Sequence, residues 1–279
     1  MTRIAVTGVT GYVGGRVASG LAAAGDTELL LVARRPERVH PPAGAAVLKA
    51  GYGDADALRA GLAGTDVLFF VSAHESADRV DQHRTVIEAA AAAGVGQIVY
   101  TSFVGAADDA AFTLARDHGA TERILASAGP AVTLLRDDFY LDAMLGFADA
   151  DGVIRGPAGD GEAAAVARDD VADAAVAVLR DAAAHRGAVY ELTGGEAIGF
   201  AELARRAAIA TGRPWRYVDE TPAEAYASRA HYGAPAWQVE AWVSTYTAIA
   251  GGHLARVSDD VPRLTGHPAR TLEDVIAGR

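Results

Sequence analysis

The residues Thr7-Gly8-Val9-Thr10-Gly11-Tyr12-Val13-Gly14 carry the most specific chemistry in this chain. Glycine stands at every fixed position of a G-x-x-G-x-x-G pattern. The β-rich run Ile4-Ala5-Val6-Thr7 precedes it, and an alanine-rich helical stretch from Tyr12 to Ala24 follows. That strand–turn–helix setting gives such a pattern meaning. Gly8 permits a tight turn, Gly11 lets backbone approach a pyrophosphate, and Gly14 lets the helix pack closely on the strand. Free N–H groups and the helix dipole then favour phosphate oxygens. Gly8, Thr10, Gly11, Tyr12, Val13 and Gly14 are therefore expected to hold a dinucleotide. The competing reading is a glycine turn without a ligand.

The second apolar run, Leu29-Leu30-Leu31-Val32-Ala33, ends in Arg34-Arg35-Pro36. An acidic residue about 20 positions beyond the turn would hold the ribose hydroxyls of NAD. Two guanidinium groups stand there instead, and arginine pairs with phosphate through a planar fork. The expected cofactor is NADP(H), with Arg34 the first choice for the 2′-phosphate and Arg35 the second. Alternatively the two arginines are a solvated surface pair. Asp54, after the third strand, either passes the adenine or caps the next helix. Ser72, Ala73 and His74 follow the fourth strand, at the sheet end where ligands of such folds bind.

These residues need elements to place them. Strands are expected over 4–7, 29–33, 47–50, 67–71, 97–101 and 131–135, with helices over 12–24, 56–62, 78–93 and 113–128 between them. Such alternation implies parallel βαβ units with right-handed crossovers. A helix over 169–184 and a strand over 188–192 follow, and the text is mostly helical from Phe200. The expected fold class is α/β, a Rossmann-type doubly wound parallel sheet with a smaller, mostly helical C-terminal lobe. The core is expected over 1–135 and again about 169–195, with the substrate lobe over 136–168 and 196–279.

Composition narrows the class. The chain has 279 residues, 51% of them hydrophobic, enough for a large core. It has no cysteine, so thiolate chemistry, disulfides and sulfur-bound zinc are excluded. His74, His83 and His118 show no metal spacing, and no metal is expected. A net charge of −11 disfavours nucleic acid and anionic lipid as partners. No apolar stretch reaches membrane-spanning length, and the strand at residue 4 leaves no place for a leader. A cytoplasmic protein is expected, with a small-molecule partner and a homodimer as the candidate assembly.

The glycine turn, Ala33-Arg34-Arg35-Pro36, Gly53-Asp54, Tyr100-Thr101-Ser102, Leu134-Leu135-Arg136 and Leu264-Thr265-Gly266-His267-Pro268 together resemble the NmrA-like, atypical short-chain dehydrogenase/reductases. The resemblance runs over nearly the whole chain and leans toward the bacterial NAD(P)H:quinone oxidoreductase branch, which includes triphenylmethane dye reductases. It implies a Rossmann core with a C-terminal substrate lobe, and it places Thr101 and Ser102 beside the cofactor. It also implies that the usual Tyr-x-x-x-Lys pair is replaced, because the helix reads Phe112-Thr113-Leu114-Ala115-Arg116-Asp117-His118 and His118 fills the position of a histidine in that branch. The implied reaction is hydride transfer to a quinone-like or planar conjugated acceptor, in which positioning supplies most of the rate. The proton then comes from His118, Tyr140 or water.

Ser102 either orients a carbonyl oxygen or caps the next segment, and His118 either serves the site or pairs with Glu122 on a helix surface. Phe103 is expected beside the nicotinamide, and Phe139 and Tyr140 offer a stacking wall or ordinary packing. His74 and Trp242 complete the candidate substrate contacts. Tyr226, His231, Tyr232 and Trp237 either lid the pocket or belong to a core. Two alternatives stand beside a quinone-type reductase: a tailoring reductase for a specific biosynthetic intermediate, and a regulator that senses NADP without turnover.

Overall fold

A computed structural model describes residues 1–278. Its first half alternates strand and helix: β1 (Thr2–Val6), α1 (Tyr12–Ala24), β2 (Thr27–Ala33), β3 (Ala46–Lys49), α2 (Ala55–Gly61), β4 (Val67–Phe70), α3 (Arg79–Ala92), β5 (Gln97–Phe103), α4 (Thr113–Ser127) and β6 (Ala131–Asp137). The chain continues through α5 (Leu141–Leu145), β7 (Val153–Gly156), α6 (Arg168–Arg180) and β8 (Val189–Leu192). It ends with α7 (Phe200–Thr211), β9 (Arg216–Asp219), α8 (Pro222–Arg229), α9 (Ala236–Ala250), α10 (Asp260–Thr265) and α11 (Leu272–Ile276).

The main sheet has 7 strands in the order β3-β2-β1-β4-β5-β6-β8. β1 pairs in parallel with β2 on one side and β4 on the other, so Ile4 faces both Leu29 and Val67 across the ladder. Strand order reverses at β1, and the crevice outside the carboxyl ends of β1 and β4 is the switch point where such sheets bind ligands. β2, β4 and β5 are apolar runs because helices cover both faces of a parallel sheet, and β4 and β5 are buried along their whole length. α1 buries Val13, Val17 and Leu21 at i, i+4 spacing and stops at Gly25, whose φ of 70° lets its N–H reach the Leu21 carbonyl.

The chain divides into two compact units. The first comprises Met1–Ser102, Asp117–Arg136 and Val171–Tyr190. Its core sets Ala5, Leu30, Leu68 and Ile98 of the sheet against Leu58, Val86 and Ile87 of the helices. The second comprises Phe103–Arg116, Asp137–Asp170 and the chain from Glu191 onward, around a core that includes Met144, Phe200, Leu203, Tyr246 and Ile249. It is mostly helical and also holds a two-stranded parallel sheet, β7 with β9. That sheet has no sequence expectation behind it, because each strand is four residues long without an apolar run. Tyr217 ties it to the following turn, donating to the Gly156 carbonyl at 2.5 Å and accepting from the Ala158 N–H at 2.9 Å. The expected helix over 169–184 ends at Arg180, and a 3₁₀ turn over Ala182–His185 takes its place. Among the described residues no helix is long and apolar enough to cross a membrane.

Candidate functional site

The turn after β1 shows why its glycines are there. Gly8 has a φ of +65°, and a Cβ on it would lie 2.9 Å from Val71 Cβ. A Cβ on Gly14 would lie 2.5 Å from the Gly8 carbonyl oxygen and 2.7 Å from that of Thr7. Any side chain at position 14 would thus push α1 off the strand. Gly11 occupies the N-cap position of α1 with no side-chain cap, which leaves first-turn N–H groups for a ligand.

A cavity of about 250 Å³ opens at this turn. Of the residues expected at a dinucleotide, Gly8, Thr10, Gly11, Arg34, Ser72 and Ala73 line it, together with His74, which was expected at the substrate. Tyr12, Val13, Gly14, Arg35, Asp54, Thr101 and Ser102 do not. Val32, Ala33, Ala50, Tyr52, Val71 and Gln82 complete the wall and were not anticipated. The signal for Tyr52 was its place between Gly51 and Gly53, directly after β3. Its hydroxyl donates to the Val71 carbonyl at 2.6 Å and lies 2.9 Å from Thr7 Oγ1, which itself accepts the Val71 N–H. The ends of β1, β3 and β4 are thereby joined.

The supporting residues act at one remove. Thr101 is buried and accepts the Ser72 N–H through Oγ1 at 2.8 Å, so it sets the backbone on the cavity wall. Asp54 sits at the N-cap of α2 but makes no side-chain cap; its carboxylate accepts the Gly51 N–H at 2.6 Å. The capping reading of Asp54 gives way to closure of the turn that carries Tyr52. Arg34 lines the cavity, whereas Arg35 precedes a 3₁₀ turn over Pro36–Arg38. No carboxylate pairs with Arg34 among the described residues, which leaves its fork for a ligand. The uncapped turn, the two excluded Cβ positions and Arg34 fit a phosphorylated dinucleotide.

His118 is corrected. It is not on a helix surface. It is buried in the first unit, with Nε2 at 3.0 Å from Arg79 Nη2 and Nδ1 at 3.0 Å from the Tyr100 hydroxyl. Arginine only donates, so Nε2 accepts, and the neutral ring carries its proton on Nδ1 toward Tyr100. Burial, then the charge of Arg79, holds His118 well below the ordinary imidazole value. At neutral pH the neutral ring has no proton to give from Nε2. His83 behaves alike: Nε2 accepts the Ala73 N–H at 2.8 Å, Nδ1 meets Thr121 Oγ1 at 2.8 Å, and burial pushes the ring down to about 3. Arg79 Nε donates to the Ala73 carbonyl at 2.9 Å. Both polar groups of Ala73, on the cavity wall, are held by side chains of α3.

Ser102 is buried and donates to Glu122 Oε1 at 2.6 Å, while Arg136 holds the same carboxylate at 2.9 and 2.6 Å. Its hydroxyl proton is committed, so Ser102 is left with acceptor capacity alone, and it caps no segment.

The remaining candidates lie in the second unit. Phe103, Phe112 and Phe139 form a triad with ring centroids 5.0–5.1 Å apart. Phe103 and Phe112 also line a cavity of about 300 Å³ with Asp109, Ala248, His253 and Leu254. The Tyr140 hydroxyl donates to Asp137 Oδ2 at 2.7 Å. Asp137 and Asp138, at the end of β6, are buried, and Asp137 Oδ1 and Asp138 Oδ2 have no partner. Burial pushes their carboxyls up, to about 8 for Asp137 and about 7 for Asp138. Neither aspartate was singled out from sequence, although the i, i+3 spacing of Asp137 and Tyr140 was visible. Trp242 meets Tyr232 edge-on at 5.7 Å, and His231 lies on the other ring contact of Tyr232 at 3.9 Å.

The family profile that matches residues 8–182 is described as NAD(P)H-binding. Quinone oxidoreductase 2 of Escherichia coli (strain K12) is 35% identical over 280 residues, covering 98% of this chain and 97% of that protein. The crystal structure of an NADPH-dependent quinone oxidoreductase from Escherichia coli complexed with NADPH matches at a TM-score of 0.90 with 35% identity, covering 99% of each chain. That of the Citrobacter sp. triphenylmethane reductase complexed with NADP(H) matches at 0.86 with 28% identity, again over 99% of each.

Two outcomes follow from this geometry. Replacing His118 by alanine leaves Arg79 Nη2 and the Tyr100 hydroxyl without their buried partner, at about 1–3 kcal/mol for each stranded group. Chemical denaturation should show that loss, and full retention of stability would return His118 to a direct role in chemistry. The second outcome is a pH profile. Asp137 and Asp138 bind protons more tightly folded than unfolded, where a carboxyl titrates near 4. Their contribution is complete below about pH 4 and is lost as pH rises through about 7 and 8. His83 has the opposite sign: its contribution is present above about 6.5 and is lost as pH falls toward about 3. Stability should therefore decline between about pH 6.5 and 8, by up to about 1.4 kcal/mol per pH unit for each carboxyl. Asp137→Asn should flatten that decline; identical profiles for variant and wild type would contradict the assignment.

Proposed function

The chain belongs to the NAD(P)H-binding family, and we propose that within it this protein is an NADPH-dependent reductase of a quinone-like or other planar conjugated acceptor. The observation that carries the cofactor half is Arg34 on the wall of the cavity at the sheet's switch point, with no carboxylate at the end of β2. A guanidinium there matches a 2′-phosphate and leaves the ribose diol of NAD without its acceptor. Bound NADPH supplies a hydride. The chain's own residues do the rest: the Gly8–Gly14 turn holds the pyrophosphate, and Arg34 reads the 2′-phosphate. Tyr52, Thr7 and Thr101 fix the strand ends, and Arg79 with His83 fixes Ala73.

The acceptor half rests on relatives named for quinone and triphenylmethane reduction and on the aromatic make-up of the second unit. Phe103 and Phe112 give the 300 Å³ cavity two tilted aromatic rings, and Phe139 packs edge-on against both. Such a surface suits a flat, electron-poor ring system. The acidic net charge supports a small-molecule partner rather than a nucleic acid, in a cytoplasmic setting.

NADPH consumption followed by absorbance, with a panel of quinones and conjugated ketones and an NADH comparison, tests the proposal. Turnover preferring NADPH is expected; binding of NADPH with no turnover of any acceptor would sink the reductase reading. For the cofactor half, Arg34→Ala should weaken NADPH about 10- to 100-fold, as for loss of a charge-assisted hydrogen bond, and NADH by far less. Equal losses for the two dinucleotides would remove Arg34 from the 2′-phosphate.

A further inference from the structure

Gly51 is a glycine without a conformational reason. Its φ lies outside the left-handed region, so the backbone there would accept any L-residue. Its surroundings supply a steric reason instead. A Cβ at position 51 would lie 3.2 Å from Arg34 Cγ and 3.4 Å from Arg34 Cδ. The stem of Arg34 therefore runs directly over the Gly51 backbone. Register brings the two together: Ala33 stands opposite Lys49 in the β2–β3 ladder, and the Ala33 carbonyl accepts the Ala50 N–H at 3.1 Å. The chain leaving β2 and the chain leaving β3 thus run side by side, with Arg34 next to Gly51.

Gly51 is fixed at both of its polar groups. Its N–H donates to Asp54 Oδ2 at 2.6 Å, and its carbonyl accepts the Asp54 N–H at 3.1 Å. Gly51 is buried, whereas Arg34 is exposed. A rigid backbone surface therefore lies under a long, solvent-facing side chain. Arg34 and Tyr52 line the same cavity wall. Burial pushes the Tyr52 hydroxyl up to about 12, and the Thr7 hydrogen bond and the charge of Arg34 oppose that push. The charge of Arg34 thus acts on the cavity side of the turn that Gly51 begins.

We propose that Gly51 is a specificity-determining residue for the dinucleotide: its missing side chain leaves the bed on which the Arg34 stem lies, and that bed aims the guanidinium at the 2′-phosphate of NADP(H). The inference rests on the reading of Arg34 given above and extends it to a second position, at the end of another strand. A long cationic side chain loses rotamer freedom when it grips a phosphate. A stem already laid along a fixed backbone loses less, and binding is tighter for it. A methyl group at position 51 would take the place of the stem. Because Arg34 is exposed, its side chain then swings into water without disturbing the fold, and the guanidinium leaves the cavity wall. NADH has no 2′-phosphate and loses nothing by that movement. A Cβ at position 51 would also lie 3.0 Å from Asp54 Oδ2, which closes the turn carrying Tyr52. Crowding there loosens the wall for both dinucleotides alike. The ratio of the two affinities, rather than either one alone, therefore reports on Arg34.

Dissociation constants of NADP⁺ and NAD⁺, with no acceptor present, would be measured by calorimetry. The proteins are wild type, Gly51→Ala, Gly51→Val, Arg34→Ala and the double variant Gly51→Ala with Arg34→Ala. The preference for NADP⁺ should fall about threefold or more in Gly51→Ala and about tenfold or more in Gly51→Val, the scale of a weakened and then lost charge-assisted hydrogen bond. In the Arg34→Ala background Gly51→Ala should leave the preference where Arg34→Ala alone puts it, because the two positions act as one unit. Gly51→Ala is the smaller change and reports even if Gly51→Val folds poorly. An unchanged preference in the position-51 variants would overturn the inference and leave the Arg34 reading standing. Equal weakening of both dinucleotides would overturn it too, by making Gly51 a turn residue only. If Arg34→Ala itself leaves the preference unchanged, the 2′-phosphate reading falls, and the role of Gly51 with it.

Discussion

The closeness of α1 to β1 is the constraint from which the site follows. Position 14 has no space for a Cβ because the Thr7 and Gly8 carbonyl oxygens stand 2.5–2.7 Å from where it would be. The helix therefore begins directly over the end of the first strand. Since β1 is the strand at which the sheet order reverses, that end opens into the switch-point crevice. An uncapped helix start above a crevice is an anion site made of backbone alone. The neighbouring strands then contribute by position: β2 leads into Arg34, and β4 leads into Val71, Ser72 and Ala73, all on the cavity wall. Tyr52 and Thr7 bind the strand ends together through hydrogen bonds of 2.6–2.9 Å, so the crevice is formed before a ligand arrives.

A second layer of order depends on Arg79, a group that can only donate. Because it donates to His118 Nε2 and to the Ala73 carbonyl, proton positions around it are fixed. His118 must point its N–H at Tyr100, and His83, which accepts the Ala73 N–H, must point its own at Thr121. Burying two imidazoles and a guanidinium is unfavourable unless each is satisfied. The network has a definite return: Ala73, on the cavity wall, is held at both its N–H and its C=O.

The sequence disclosed those parts of the molecule in which local chemistry determines the result. The glycine turn was readable because positive φ and close approach are properties of single residues, and α1 was readable because Val13, Val17 and Leu21 repeat at helical spacing. The alternation of strands and helices up to β6 was readable because both periods are strong over 4–15 residues. What was hidden depends on partners far apart in the chain. Arg79 and His118 are separated by 39 residues, Tyr52 and Thr7 by 45, and no local pattern signals either meeting. Ser102 was placed by its position at the end of the fifth strand, but its commitment to Glu122 and Arg136 depends on α4 and β6 lying beside it. β7 and β9 escaped because four-residue strands take their stability from each other and from Tyr217 rather than from their own composition.

Residue type is the poorest guide to where a proton sits, and the reason is burial. An imidazole in water titrates near neutrality and is the natural first choice for a proton donor. Inside the first unit His118 is stripped of water and faced by Arg79, so its charged form is excluded and the ring is left neutral. An aspartate in water is ionised near neutrality and looks like a poor donor. Inside the second unit Asp137 is stripped of water, faced by Asp138 and left with an empty oxygen, so its neutral form prevails. Desolvation always acts against charge, and it therefore moves a base and an acid in opposite directions on the pH scale. Where both are buried, the familiar ranking of donors inverts. The carboxyl retains a proton at the pH where the imidazole has already lost its own, and a fold that needs an acid in a dry place can make one from aspartate more readily than from histidine.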